Sequence, residues 1–181
     1  MKKLLFVALA TLGLQFAMAQ EKTVEVGGAP MYPSKNIVEN AVNSKEHTTL
    51  VAAVKAAGLV ETLQSAGPFT VFAPTNAAFG KLPAGTVETL VKPENKNTLT
   101  KILTYHVVAG KYDAAAIAKL IQEGNGTASL TTVAGGTLKA SMKGKKLVLT
   151  DESGATATVT ISNVYQSNGV IHVIDGVVLP K

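Results

Sequence analysis

Phe69-Thr-Val-Phe-Ala-Pro-Thr-Asn-Ala-Ala-Phe79 changes direction twice within eleven residues. Its first five residues place bulky groups at alternate positions and predict a buried strand. Pro74 must end that strand, because proline has no N–H to give to a ladder. Thr75 or Asn76 can then turn a side-chain oxygen onto the free N–H groups of a helix running through Phe79. A second stretch, Asn168-Gly-Val-Ile-His-Val-Ile-Asp-Gly-Val-Val-Leu-Pro180, opens on the strongest hairpin signal in the chain, Asn168-Gly169. Residues 170 to 174 follow, apolar on both faces, which predicts a central strand covered on each side.

Outward from these stretches the organisation changes once. From Ser34 to about Gly124 apolar residues recur at helical spacing, and from Thr127 to Leu179 they alternate as in strands. Helices followed by strands point to an α+β fold rather than an alternating α/β one. Ser34 can cap a helix bearing Ile37, Val38, Ala41 and Val42, and Thr48 a second bearing Leu50, Val51, Val54 and Ala57, stopped by Gly58. A short helix through Leu63 ends at Gly67-Pro68. Further helices are expected at about 86 to 91 and 97 to 106, with Pro83 and Pro93 between elements. Asp113 is a candidate cap, flanked by Tyr112 and Ile117 as a hydrophobic staple, for a helix burying Ile117, Leu120 and Ile121. In the strand half, Leu138, Ala140 and Met142 alternate with polar neighbours, as do Ala155, Ala157, Val159 and Ile161. Gly135-Gly136, Gly144-Lys145 and Ser153-Gly154 mark the turns.

The N-terminus carries an address. Met1-Lys2-Lys3 is basic, residues 4 to 16 are mostly apolar, and Ala17-Met18-Ala19 is a small-x-small cleavage pattern, so 1 to 19 read as a secretory signal peptide with the mature chain starting at Gln20. The apolar run is shorter than the roughly 20 residues of a membrane span, so no span is expected in the mature form. Residues 20 to 33 form a lead-in whose Pro30-Met-Tyr-Pro33 is apolar, and 34 to 181 form one domain. There is no cysteine, which excludes a lipid-anchored lipoprotein, a disulfide framework and a thiolate metal site. The protein is therefore expected in the periplasm or released.

The full chain carries a net charge of +5, and every basic residue is lysine. Without arginine the bidentate fork that reads phosphate and guanine is missing, so nucleic acid is not an expected partner. Lys143, Lys145 and Lys146 cluster at a turn and read as a solvated hairpin tip. No Gly-x-Ser-x-Gly elbow, His-Glu-x-x-His run or Walker loop is present. His47, His106 and His172 lack the spacing of a metal site. His172 and Asp175, three apart on one strand, point to opposite faces and cannot act as a dyad without a bulge. The expectation is a non-enzyme with no metal and no cofactor.

The two quoted stretches, with Tyr105-His106 between them in that order and spacing, resemble the fasciclin domain over about 34 to 180. The resemblance implies a wedge of two small β-sheets with helices packed around one side, the 170 to 174 strand beside the 69 to 73 strand. It implies adhesion or binding rather than a reaction, and it carries onto Tyr105 and His106 the tyrosine-histidine motif implicated in integrin-mediated adhesion in animal members. The residues also support a structural role: Leu99, Ile102, Leu103 and His106 follow the i, i+3, i+4, i+7 rule, which puts His106 on the buried stripe of its helix. Pro74, Thr75, Asn76, His172 and Asp175 are expected as structural motif residues, with Asn76 as a helix cap and His172 as a core histidine. The functional expectation is an exported binding module adhering to a cell-surface or matrix protein, a polysaccharide, or another copy of itself. The alternative is a periplasmic carrier holding a small apolar or chromophoric ligand between sheets and helices.

Overall fold

The computed structural model describes residues 22–181. The expected signal peptide and the cleavage point at Ala19/Gln20 lie outside the described residues. The lead-in is folded from Val24 onward. Strands β1 (Val24–Val26) and β2 (Ala29–Met31) pair antiparallel with Val26 opposite Ala29. Gly27 and Gly28 make the two-residue turn, at φ of 60° and 74°, a backbone that glycine adopts without a Cβ penalty. Met31 is buried against the core beyond.

The helical half then runs through α1 (Ile37–Ala41), α2 (Thr48–Ala57) and α3 (Val60–Gln64) before strand β3 (Phe69–Pro74). Helices α4 (Asn76–Gly80), α5 (Thr86–Leu90) and α6 (Lys96–Tyr105) lead to the short strand β4 (Val107–Ala109). Five-residue helices are too short to stand alone in water; α1 and α3 persist because Ile37 and Leu63 are buried in the shared core. The cap of α1 is Asn36, not Ser34. Asn36 accepts from Glu39 N–H at 2.9 Å while Glu39 accepts from Asn36 N–H at 2.8 Å, a reciprocal capping box that outcompetes a lone serine two residues earlier. Gly58 ends α2 in the left-handed conformation, as expected.

After α7 (Ala114–Glu123), capped by Asp113 as expected, come β5 (Thr127–Thr131), β6 (Thr137–Lys143), β7 (Lys146–Thr150), β8 (Thr156–Gln166) and β9 (Gly169–Ile174). This is the α+β architecture expected from the chain. The hydrogen-bonded order is β4-β3-β9-β8-β7-β6-β5, with only β3 and β9 parallel. The two small sheets of the wedge share β8. Its first residues pair with β7 and the rest with β9, and register shifts between Val159 and Ile161 and between Ile161 and Val164 accompany the change of partner, as bulges bend a strand. The outer edges meet: Val108 bridges Thr132, and Val133 N–H donates to the Val107 carbonyl at 2.8 Å. That contact protects part of two strand edges that would otherwise template aggregation.

Two turn readings need correction. Gln166 pairs with Gly169, so the β8–β9 turn is Ser167-Asn168 and Gly169 is already strand. Gly169 is small because β3 lies against it: a Cβ there would stand 2.0 Å from the Phe69 carbonyl oxygen. Likewise Gly135-Gly136 is the end of a longer link, residues 132 to 136, between β5 and β6. Two apolar clusters result. Leu50, Leu103, Val71 and Ile171 join α2 and α6 to one face of the sheet, whereas Phe72, Ile117, Leu138 and Ile174 fill the wedge beneath α7.

Candidate functional site

Tyr105 and His106 sit where α6 hands over to β4, and both are interior. Tyr105 is 0% exposed. Its hydroxyl donates to the Thr137 carbonyl at 2.7 Å and accepts from Glu152 N–H at 3.3 Å. The ring lies so close to Gly136 that a Cβ there would come within 2.8 Å of it. Burial raises the hydroxyl's pKa. His106 is 3% exposed. Its Nδ1 lies 2.9 Å from the Ile102 carbonyl, and its Nε2 accepts from Val178 N–H at 3.2 Å. Those partners assign the proton to Nδ1 and the lone pair to Nε2. Burial lowers the imidazole's pKa to about 4, against the opposing pull of the Ile102 carbonyl and the Asp151 charge.

Around this pair the structure gathers two carboxylates that local reading of the sequence passed over. Asp151 Oδ1 accepts from Ser153 N–H, the Ser153 hydroxyl and Ala155 N–H, and its Oδ2 accepts from Leu179 N–H at 3.0 Å. Burial pushes its pKa up, but these hydrogen bonds outweigh it and hold the carboxyl below its ordinary value. Glu152 accepts from Thr137 N–H at 2.9 Å and Lys181 N–H at 3.1 Å. Together the four side chains tie the end of α6, the link before β6, the turn after β7 and residues 178 to 181 into one joint. The Asp151-Glu-Ser153 turn was the only local signal, because an aspartate two residues before a serine can close an Asx turn.

The remaining motif residues serve other joints. Pro74 ends β3, and Thr75 is the cap of α4, its hydroxyl accepting from Ala78 N–H at 3.2 Å. Asn76 does not cap its own helix. Its Oδ1 accepts from Thr49 N–H at 3.0 Å and its Nδ2 donates to the Lys45 carbonyl at 2.9 Å, so it caps α2 from a distance, where neither His47 nor Thr48 does so. His172 is 0% exposed, stacked on Phe72 at 5.6 Å, with Nε2 2.8 Å from the Tyr112 carbonyl. Asp175 instead accepts from Thr158 N–H at 2.7 Å, so the two do not form a dyad. His47 is also buried, with Nδ1 2.9 Å from the Ser44 hydroxyl. Its Nε2 is buried without a hydrogen-bond partner among the described residues. Burial lowers the pKa of His47 and His172 as it does that of His106.

His47 and His106 also touch the wall of a cavity of ≈ 70 Å³ between the helices and the sheet, otherwise lined by residues such as Leu50, Val54, Leu63 and Val71. Among the described residues no cluster of histidine and carboxylates could hold a metal ion, and no helix is long and apolar enough to cross a membrane.

In class this is an α+β scaffold whose motif side chains are spent on internal hydrogen bonds that lock helix ends, turns and the last residues together. The chain belongs to the fasciclin family: the fasciclin domain pattern matches residues 45–180. It is 50% identical over 168 residues to protein sll1483 of Synechocystis sp., covering 91% of this chain and 86% of that one. It is 39% identical to immunogenic protein MPB70 of Mycobacterium bovis, over 77% of this chain and 66% of that one. Its fold is similar to a solved FAS1 domain pair from the insect cell adhesion molecule fasciclin I, with a TM-score of 0.72 at 20% identity over 82% of this chain and 52% of that one.

Proposed function

We propose that the protein is an exported, non-catalytic binding module that adheres to a cell-surface or matrix protein or polysaccharide through its outer surface. The observation that carries this reading is the internal use of the motif. The polar atoms of Tyr105 and both ring nitrogens of His106 have partners inside the fold, which supports a shaping role for the pair and leaves recognition to exposed residues. Membership of the fasciclin family, and a fold shared with an insect cell adhesion molecule, support adhesion over catalysis. Residues 1 to 19 support export, with a periplasmic or released product beginning at Gln20.

The carrier reading has one observation in its favour, the apolar cavity. At ≈ 70 Å³ it falls well short of the roughly 300–1,000 Å³ of ligand pockets, so adhesion is preferred. Two measurements test the proposal. N-terminal sequencing of protein recovered outside the cytoplasm should begin at Gln20. Labelled protein titrated onto cells and matrix of the source organism should bind saturably; linear, non-saturating uptake would remove the adhesion reading.

A further inference from the structure

The β6–β7 hairpin holds an electrostatic conflict that the fold does not resolve. Lys143 and Lys146 are directly opposite across the hairpin, with Lys145 in its two-residue turn. Like charges directly opposite destabilise a strand pair, and none of the three lysines has an ion-pair partner among the described residues.

Lys145 and Lys146 also line a groove of ≈ 520 Å³ between α7 and the sheet. Its walls mix apolar and hydroxyl groups. Met142 is 42% exposed there, and the hydroxyls of Thr158 and Ser162 line it without hydrogen-bond partners among the described residues. The one carboxylate in the lining, Asp175, is engaged by Thr158 N–H, and Lys81 Nζ donates to its backbone carbonyl. The groove thus offers free hydroxyls beneath a rim of three lysines that no ion pair among the described residues engages, against the single carboxylate of Asp175.

We infer that this hairpin and groove bind an acidic polysaccharide, the lysines meeting its carboxylates or sulfates and the free Thr158 and Ser162 hydroxyls meeting its sugar hydroxyls. The inference rests on the adhesion reading and names its partner class. A nucleic acid fits less well, since the chain has no arginine to grip phosphate bidentately. An acidic protein fits less well too, because the groove lining holds no tyrosine, tryptophan or arginine to act as a binding hot spot.

The test uses the purified protein and immobilised alginate, a linear polymer of uronic acids. Binding should weaken steeply as salt rises from about 50 to about 200 mM, as counterion release requires. Lys143→Glu/Lys146→Glu should lose about ten-fold or more in affinity, and Lys92→Glu, which changes charge away from the hairpin, should keep it. The single variant Lys143→Glu should melt no lower than wild type, because repulsion across the hairpin becomes attraction, and should still bind alginate more weakly. Absence of alginate binding, equal affinity in the double variant, or equally tight binding of polyglutamate would each overturn the inference. Cell adhesion that survives Lys143→Glu/Lys146→Glu would remove the hairpin as the adhesion surface and leave the adhesion reading standing. Wild type that binds alginate but no cells would remove adhesion and leave the hairpin site standing.

Discussion

Protonating His106 breaks the joint it holds, because Nε2 accepts from Val178 N–H and cannot do so once it carries a proton. The sign of the pH effect follows. The unfolded chain takes up a proton near the ordinary value of 6.5, whereas the folded imidazole resists it until about 4. Between those values the unfolded state binds more protons, so stability is full above about 6.5 and falls as pH drops toward about 4, by about 3 kcal/mol for His106 alone. His47 and His172 act in the same direction. Asp113, Asp151 and Glu152, whose values are lowered in the fold, withdraw stability only as pH falls below the ordinary carboxylate range. Urea midpoints measured from pH 7.5 downward should therefore start to fall near pH 6.5, and a flat profile down to pH 4.5 would refute the assignment. Tyr105→Phe tests the other half of the pair. It leaves the Thr137 carbonyl and Glu152 N–H without the hydroxyl between them and should cost about 1–3 kcal/mol, read as a lower urea midpoint at unchanged slope. The helical spacing in the sequence already placed His106 on a buried stripe, but beyond the Asx turn at Asp151 nothing local announced the joint that Asp151 and Glu152 close, because two of their partners, Leu179 and Lys181, lie 28 and 29 residues away.

Among the elements, α2 depends on a residue outside itself. Asn76→Ala removes the oxygen that receives Thr49 N–H and should destabilise the protein by about 1 kcal/mol, in the ordinary range for a lost helix cap. Thr75→Ala should act separately, through α4, so the two losses should differ in which amides lose hydrogen-exchange protection. If Asn76→Ala exposed amides of α4 and left those of α2 protected, the capping assignment would be wrong. Legibility varied with range. The strand, corner and helix start at 69 to 79, the cap at Asp113, the stop at Gly58 and the central 170 to 174 strand were readable because each is decided by a few neighbouring residues. The β1–β2 hairpin went unread: residues 20 to 33 read as a lead-in, although Gly27-Gly28 forms a tight turn between two three-residue strands. Asn168-Gly169 was misplaced by one residue because Gly169 answers to the backbone of β3 across the sheet rather than to a turn. Asn76 was assigned to the wrong helix for the same reason: its target is 27 residues earlier.

At the scale of the whole molecule, a shared β8, a touching pair of edges and two apolar clusters join the sheet and helices around a Tyr105-His106 motif that faces inward. The family was legible from three short motifs, since these build the joints that define the fold. The proposed binding surface was not, since a lysine hairpin reads as a solvated tip until its cross-strand register and the groove beside it are known. If the account is right, Tyr105 serves binding only by serving the fold. A loss of about 1–3 kcal/mol from a typical total of 5–15 leaves Tyr105→Phe folded at moderate temperature and neutral pH. The most direct test is a binding isotherm of labelled wild type and folded Tyr105→Phe on cells and matrix of the source organism. The account predicts saturable binding with the same Kd for both proteins. A folded Tyr105→Phe that has lost saturable binding would contradict it and make the tyrosine hydroxyl part of the recognition surface.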